Sequence, residues 1–337
     1  MRRILVTGGA GFIGSNFVRM VLEEHPDCLL VNLDKLTYAG NLENLTGCME
    51  NPMHKFVKGD ICDAQFVEKL INEHKIEAII NFAAESHVDR SIVEPGIFIE
   101  TNVTGTLTLL KAALNKNIER FVQISTDEVY GSLGNEGKFT EQTPLSPNSP
   151  YSASKAAADL LVKAFGHTWG LKYNITRCSN NYGRYQFPEK MIPLMINNAL
   201  SDKELPVYGD GLYIRDWLYV YDHCTAVWKV FTEAQPGEIY NIGGNNEKTN
   251  LEVVRLILER LGKSQTLIKH VTDRPGHDRR YAIDSGKIMS TLNWRPSVTF
   301  EEGINKTIDW YLENRDWLEH IVSGSYQQYY DAMYGNR

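Results

Sequence analysis

Cysteine is scarce in this 337-residue chain: Cys28, Cys48, Cys62, Cys178 and Cys224 are odd in number, widely scattered and contain no C-x-x-C pair. That pattern argues against a disulfide framework and a zinc site, and it fits a reduced, cytosolic setting. Basic charge is also short. Against 42 acidic residues stand 35 basic ones, a formal charge of −7, so broad attraction to nucleic acid is not expected. Any phosphate must instead be held by local donors such as helix N-termini and single Arg or Lys side chains. Apolar runs stop well short of transmembrane length, and no membrane association is expected. Arg2 and Arg3 precede an apolar Ile4-Leu5-Val6, yet Thr7-Gly8-Gly9 ends that run too early for a signal peptide. Internal repeats and low-complexity tracts are absent as well.

What is present suits one large α/β unit or two joined ones. Short apolar or β-branched runs at Ile4–Val6, Leu29–Leu33, Phe56–Val57, Ala78–Phe82, Phe121–Ile124 and Tyr173–Thr176 alternate with longer helical patterns. This rhythm predicts β-α-β units and a doubly wound parallel sheet. The runs are nearly continuous, as strands covered on both faces should be. After about Asn180 the pattern loosens: Pro188, Pro193 and Pro206 are read as helix breakers, and a return strand is expected near Trp217–Val220. Helical periodicity resumes at Asn250–Leu261 and Phe300–Asn314. The expected division is a dinucleotide domain over 1–180 with a return segment near 217–243, interleaved with a smaller substrate domain over 181–216 and 244–337.

Directly after the first strand comes Thr7-Gly8-Gly9-Ala10-Gly11-Phe12-Ile13-Gly14, followed by the helical run Ser15–Glu24. Glycines there let the backbone turn sharply and approach a pyrophosphate, whose charge meets the free amides and dipole of the helix start. Asp34 ends the second strand twenty residues beyond Gly14, where a carboxylate accepts hydrogen bonds from an adenosine ribose and repels a 2′-phosphate. NAD is favoured on that ground, while the adjacent Lys35 leaves NADP open.

A second motif, Tyr151-Ser152-Ala153-Ser154-Lys155, follows Pro150 and opens a long helix. Its four-residue spacing puts Tyr151 and Lys155 on one helix face. A cation about 4 Å from a phenol, at an effective dielectric of about 20, favours the phenolate by up to roughly 4 kcal/mol. The pair is therefore read as a phenol brought toward useful base strength. His87 and Asp89 lack further ligands at suitable spacing, so no metal is expected. The aromatic stripe of Trp310, Tyr311 and Trp317 reads as packing.

Together the two motifs resemble the short-chain dehydrogenase/reductase superfamily, and the length resembles its extended, nucleotide-sugar branch. Ser125-Thr126-Asp127-Glu128-Val129-Tyr130-Gly131 at the end of the fifth predicted strand is similar to the dTDP-glucose 4,6-dehydratase family. So, in order, are Ala83–Ser91, Cys178–Gly183, Phe187–Lys190, Arg215–Trp217 and Asp273–Arg280. Arg184 departs from the pattern, since many relatives carry proline after the Asn-Tyr-Gly turn.

The resemblance implies a reaction and roles. Tyr151, supported by Lys155, takes the proton from the hydroxyl at carbon 4 of the sugar while NAD receives hydride, and Thr126 orients that hydroxyl. Glu128 then serves as base at carbon 5 and Asp127 as acid at the departing hydroxyl of carbon 6, and hydride returns to carbon 6. The cofactor site is implied to extend from Gly8, Gly11, Phe12, Ile13, Gly14 and Asp34 to Lys35, Leu36, Thr37, Asp60, Ile61, Ala83, Ala84, Ser86, Thr101 and Asn181. For the nucleotide sugar, expected to be dTDP-glucose, the implied residues are Ser86, Asn180, Lys190, Met191, Pro206, Val207, Tyr208, Arg215, Asn250, Asp273, Arg274, Pro275, Gly276 and His277. Arg215 is expected to pair with the diphosphate. A homodimer through helices near Thr101–Asn115 and Tyr151–Gly170 is implied too. Alternatives remain: a UDP-glucose 4,6-dehydratase, since one methyl group of the base is beyond the sequence; a 4-epimerase or UDP-glucuronate decarboxylase, which Asp127 disfavours; and a non-catalytic dinucleotide sensor, which the Tyr–Lys pair disfavours.

Overall fold

The apolar run that opens the chain is buried on both sides as strand β1 (Arg3–Thr7), and the pattern it starts repeats through the first half. A computed structural model describes residues 2–273 and 276–322. After β1 come α1 (Phe12–Glu24), β2 (Leu29–Asp34), β3 (His54–Lys58), α2 (Ala64–His74) and β4 (Ala78–Asn81). Two short helices, α3 (Val88–Val93) and α4 (Pro95–Phe98), lead through a π-helical turn at Ile99–Gly105 into α5 (Thr106–Asn115). Next are β5 (Arg120–Thr126), a 3-10 turn at Asp127–Tyr130, α6 (Pro150–Trp169) and β6 (Tyr173–Cys178). The later elements are β7 (Asn180–Tyr182), α7 (Met191–Leu200), β8 (Leu205–Tyr208), β9 (Ile214–Tyr219), α8 (Val220–Glu233) and β10 (Ile239–Ile242). They are followed by β11 (Glu247–Thr249), α9 (Asn250–Arg260), β12 (Ile268–Val271), α10 (Gly286–Thr291), α11 (Phe300–Glu313) and α12 (Arg315–Val322).

Seven strands make one sheet in the order β10-β6-β5-β4-β1-β2-β3, every neighbouring pair parallel. Alternation along β1 shows how both faces are filled: Ile4 and Val6 pack with Phe17 of α1 and Val227 of α8. Leu5 between them packs with Val67 of α2, Leu109 of α5 and Val162 of α6. Each such apolar side chain contributes about 1.5–3 kcal/mol on burial, which is why the runs carry no polar alternation. The chain crosses to opposite sides from β1 and β4, leaving a crevice at the carboxyl ends of these strands.

Helix ends follow local chemistry. Ser149 caps α6 in a reciprocal box with Ser152, Pro150 occupies the first turn, and Gly170 ends the helix at φ +70°. Thr249 with Glu252 and Thr299 with Glu302 box the starts of α9 and α11. Those two helices, with α7, Trp217 and Tyr311, enclose a separate core beside a three-stranded sheet (β11-β9-β7) and a two-stranded one (β12-β8). The aromatic stripe of the last helices belongs to it: Trp310 and Trp317 lie 4.9 Å apart, edge to face.

Two expectations are corrected. The strand near Trp217 does not return to the large sheet; β9 pairs with β7 and β11. The edge beside β6 is taken by β10, whose Tyr240 and Ile242 are buried there. Pro193 does not break a helix either, because it sits in the first turn of α7, where the missing N–H would have had no helical partner.

Packing at the crevice leaves no room at Gly14, where an added Cβ would lie 2.2 Å from the Gly8 carbonyl oxygen and 2.8 Å from Gly9 Cα. Both obstacles are backbone, so Gly14→Ala should lower unfolding stability by about 1–3 kcal/mol or more. Urea denaturation checks this, and an unchanged midpoint would contradict it.

Candidate active site

Gly8 leaves β1 at φ +71°, and a Cβ there would meet Ala83 N at 2.6 Å, so the turn is pressed against the end of β4. The chain enters α1 with Gly11 at the cap position and no side-chain cap, leaving the first amides of the helix available to an anion. Across this turn Asp34 accepts from Ala10 N at 2.9 Å and Leu36 N at 2.8 Å. Burial raises its carboxyl, and those two amides pull it back. Lys35 is engaged with Asp60 at 2.7 Å, so the cation that left NADP open is already matched by a carboxylate. The glycine cradle, the uncapped helix start and an acid at the strand end fit a dinucleotide with an unphosphorylated ribose.

These groups line a cavity of about 290 Å³ that also reaches Thr37, Ile61, Ala84, Ser86, Thr101, Thr126, Asp127, Glu128, Tyr151, Lys155 and Asn181. Leu36 is the exception among the expected cofactor residues. Its backbone sits at φ +56°, its amide is spent on Asp34, and its side chain packs into the core. A second cavity, about 150 Å³, brings together Met191, Pro206, Val207, Tyr208, Arg215, Asn250 and His277. The two share Glu128, Asn180, Glu189 and Lys190. Asp273 and Gly276 stand outside the second lining, although Asp273 bonds His277 Nδ1 at 2.7 Å. Arg274 and Pro275 lie outside the described residues. Arg215 is held by the Ile214 and Asp278 carbonyls at 2.7 and 2.9 Å. His87 caps α3, and Asp89 accepts from Tyr208 Oη at 2.8 Å.

At the junction, β5 delivers Thr126 and the 3-10 turn delivers the acid pair. Asp127 is buried, one of its carboxylate oxygens has no partner, and burial together with Glu128 and Asp216 raises its pKa well above the usual range, Arg215 opposing. A carboxyl in that setting carries a proton and can give it away. The expectation that Lys155 draws the Tyr151 phenol down is not met by the protein alone. Burial, then Glu128 and Cys178, raises the phenol, while the Lys155 ammonium donates to the Ile124 carbonyl at 2.6 Å.

Sequence reading missed several participants. His223, buried on α8 and kept neutral by burial at a pKa of about 3, bonds Asn181 Oδ1 through Nδ1 at 2.9 Å and so orients that amide. Glu189 accepts from Tyr38 Oη at 2.8 Å, and Arg90 lies 3.5 Å from the Tyr38 ring centre. Nothing in local spacing signals a buried acid there. Arg184 Nε donates to Asn16 Oδ1 at 2.8 Å, and Asn16 returns a bond to the Arg184 carbonyl at 3.0 Å, tying the loop after β7 to α1.

Seven parallel strands, a glycine turn at the switch point and a Tyr-x-x-x-Lys helix over the same crevice define an extended short-chain dehydrogenase/reductase. A family model described as GDP-mannose 4,6 dehydratase matches residues 5–307. A dTDP-glucose 4,6-dehydratase of Xanthomonas campestris pv. campestris (strain B100) is 55% identical, with 96% of this chain and 97% of that protein aligned. The crystal structure of dTDP-glucose 4,6-dehydratase from Bacillus anthracis str. Ames in complex with NAD superposes with a TM-score of 0.90 at 51% identity, over 95% of this chain and all of the other (100%). A UDP-glucose 4-epimerase from Thermotoga maritima shares the fold, with a TM-score of 0.87 over 93% and 99% of the two chains, but only 30% of the residues. With an acid pair where the strand meets the cavity and half its residues in common with those dehydratases, the chain belongs to the dTDP-glucose 4,6-dehydratase family.

Burial raises the Glu189 carboxyl from an ordinary 4.5 to about 7, with Lys190, Tyr38 and Arg90 opposing and Glu85 reinforcing. The folded state therefore binds the proton more tightly than the unfolded state, and stability falls as pH rises from about 4.5 through about 7. Glu189→Gln should remove this part of the slope. Denaturation of both proteins across that range measures it, and parallel curves would refute it.

Proposed function

We propose that the chain converts dTDP-glucose to dTDP-4-keto-6-deoxy-glucose and water. The observation carrying this reading is the buried Asp127, its carboxyl pushed well above the usual range by burial, next to Glu128 and in one cavity with Tyr151 and the glycine turn. An epimerase or decarboxylase has no water to expel and no use for such an acid.

The proton on carbon 5 of glucose is not acidic until carbon 4 becomes a ketone. NAD, when bound, would supply the hydride acceptor and later donor. Gly8, Gly11 to Gly14, Asp34, Lys155 and Asn181 would hold it. Tyr151 takes the proton of the carbon 4 hydroxyl, which Thr126 orients. Glu128 removes the carbon 5 proton, and Asp127 gives its proton to the departing hydroxyl of carbon 6. Each positioned proton transfer is worth about 10² to 10⁴ in rate. The second cavity, with Arg215 near the diphosphate and Pro206, Val207, Tyr208, Asn250 and His277 around the nucleotide, holds the rest of the substrate. In this reading 1–180, with α8 and β10, serves the cofactor and the remainder the substrate.

A homodimer is part of the reading. Ile92, Val93, Ile97 and Ile99 on the segment through α3 and α4, and Leu160 on α6, present apolar side chains to solvent, Val93 at 77% exposure. Such a strip is expected to be covered by its copy. Val93→Lys should shift sedimentation toward the monomer, and an unchanged profile would remove this face from the interface. All five cysteines are free thiols, which fits a reducing compartment, the cytoplasm. Among the described residues no helix is long and apolar enough to cross a membrane.

Two experiments test the chemistry. Deuterium at carbon 4 of dTDP-glucose should reappear at carbon 6 of the same molecule, with solvent hydrogen at carbon 5. A washed-out label, or a product keeping its carbon 6 hydroxyl, would end the dehydratase reading. Tyr151→Phe should block oxidation, whereas Asp127→Asn with Glu128→Gln should leave binding largely intact and slow elimination by about 10² or more. Normal turnover of the double acid variant would take both acids out of the mechanism.

A further inference from the structure

Lys155 is 4% exposed, and its ammonium donates to one backbone carbonyl, Ile124 O. One turn further along α6 stands Asp159, 0% exposed, which the spacing of four places on the same face of the helix as Tyr151 and Lys155. Its Oδ2 meets Arg177 Nε on β6 at 2.9 Å, and Ser125 near the end of β5 also favours the ionised carboxyl. Arg177 is itself 2% exposed and lies in register with Ser125, one residue before Thr126. Its Nη1 donates to Tyr130 Oη at 2.9 Å, at the end of the turn that carries Asp127 and Glu128, and Tyr130 passes a bond to Asn241 of β10 at 2.7 Å.

A buried ion pair of this kind is not a stability device by default, because desolvation offsets most of its attraction and apolar replacement is often tolerated. A reason for burying it lies one helical turn away. We propose that Asp159 is a positioning residue that supplies the counter-charge for Lys155, and that Arg177 keeps Asp159 ionised for that task.

The groups around Lys155 support the assignment. On α6 these are Tyr151 and Asp159; beyond β5, Asp127 and Glu128; on β6, Cys178 and Arg177. Burial lowers the Lys155 pKa, and Asp159 is first among the groups that restore it, followed by Cys178. The Cys178 thiol is pushed up to about 12 by burial and nearby Asp127, so at neutral pH it brings no charge. Tyr151 and Asp127 are likewise held in their neutral forms. Burial raises the Asp159 carboxyl, and Arg177 and then Lys155 draw it back down. The order of influence therefore runs from Arg177 to Asp159 to Lys155.

The test follows the charge rather than turnover alone. In the NAD-loaded protein with lysines labelled at Cε, the Lys155 resonance, assigned through Lys155→Arg, should titrate about one pH unit or more lower in Asp159→Asn than in wild type. The alkaline limb of kcat/KM should move down by the same interval, roughly tenfold in proton concentration. Tyr130→Phe, which loosens Arg177 without altering either charge, should leave the midpoint in place. Should Asp159→Asn fail to fold, Asp159→Leu with Arg177→Met removes both charges together and should give the same downward shift. In wild type itself, carbon NMR of the Asp159 carboxyl should show it ionised throughout the neutral range. A Lys155 midpoint that does not move in a folded variant, or an Asp159 carboxyl protonated at neutral pH, would overturn the proposal. It rests on the reading of Lys155 given above, but the NMR midpoint reports the coupling even if turnover does not depend on that lysine.

Discussion

Every strand of the large sheet points the same way, and most of the site's geometry follows from that constraint. Parallel strands need crossovers on the faces, so both faces are sealed by helices and polar chemistry is confined to the strand ends. Gly8 after β1, Asp34 at the end of β2, Ala83 after β4, Thr126 at the end of β5 and Cys178 at the end of β6 come from distant parts of the chain. They line one crevice because those ends share one edge. The close approach of Gly8 to the backbone of Ala83 keeps that edge tight enough for the turn to cradle an anion.

Along that edge the protein departs from water in a graded way. Near the glycine turn, Asp34 keeps two amide donors and Lys35 keeps its carboxylate. Toward the acid pair the surroundings become dry, and Asp127 and Tyr151 are both pushed to their neutral forms. A proton donor and an unionised phenol are what burial alone produces. In the reaction proposed above, the base strength of Tyr151 has to be drawn out by charge brought close to it.

The six strands of the first half were legible because each is a short apolar run between turn signals, and a parallel strand has no other way to be written. The start of α6 was legible for a similar reason, since serine, proline and a four-residue pair state a cap, a first turn and a face. Beyond Asn180 the signals weaken. Trp217 reads equally well as a strand of either sheet, and only the competition from Tyr240 and Ile242 for the edge beside β6 decides it. Pro193 looks like a breaker until the helix start is known. His223 was invisible, and Glu189 stood only inside a family-like segment, because their surroundings come from burial and from partners 42 and 151 positions away, Asn181 and Tyr38. Leu36, implied as lining by the resemblance, has a left-handed backbone and packs, partly buried, against the core.

The narrow overlap between the two cavities has an evolutionary reading. Glu128, Asn180, Glu189 and Lys190 border both spaces, whereas Pro206, Val207, Tyr208 and Asn250 border only the second. Residues of that second group can change without moving the glycine turn, the phenol or the acids. On the reading proposed above, a lineage built on this scaffold can therefore vary its substrate in one compartment while selection on the other stays in force. Changing the proposed reaction instead means touching the first compartment, where Thr126, Asp127 and Tyr151 lie.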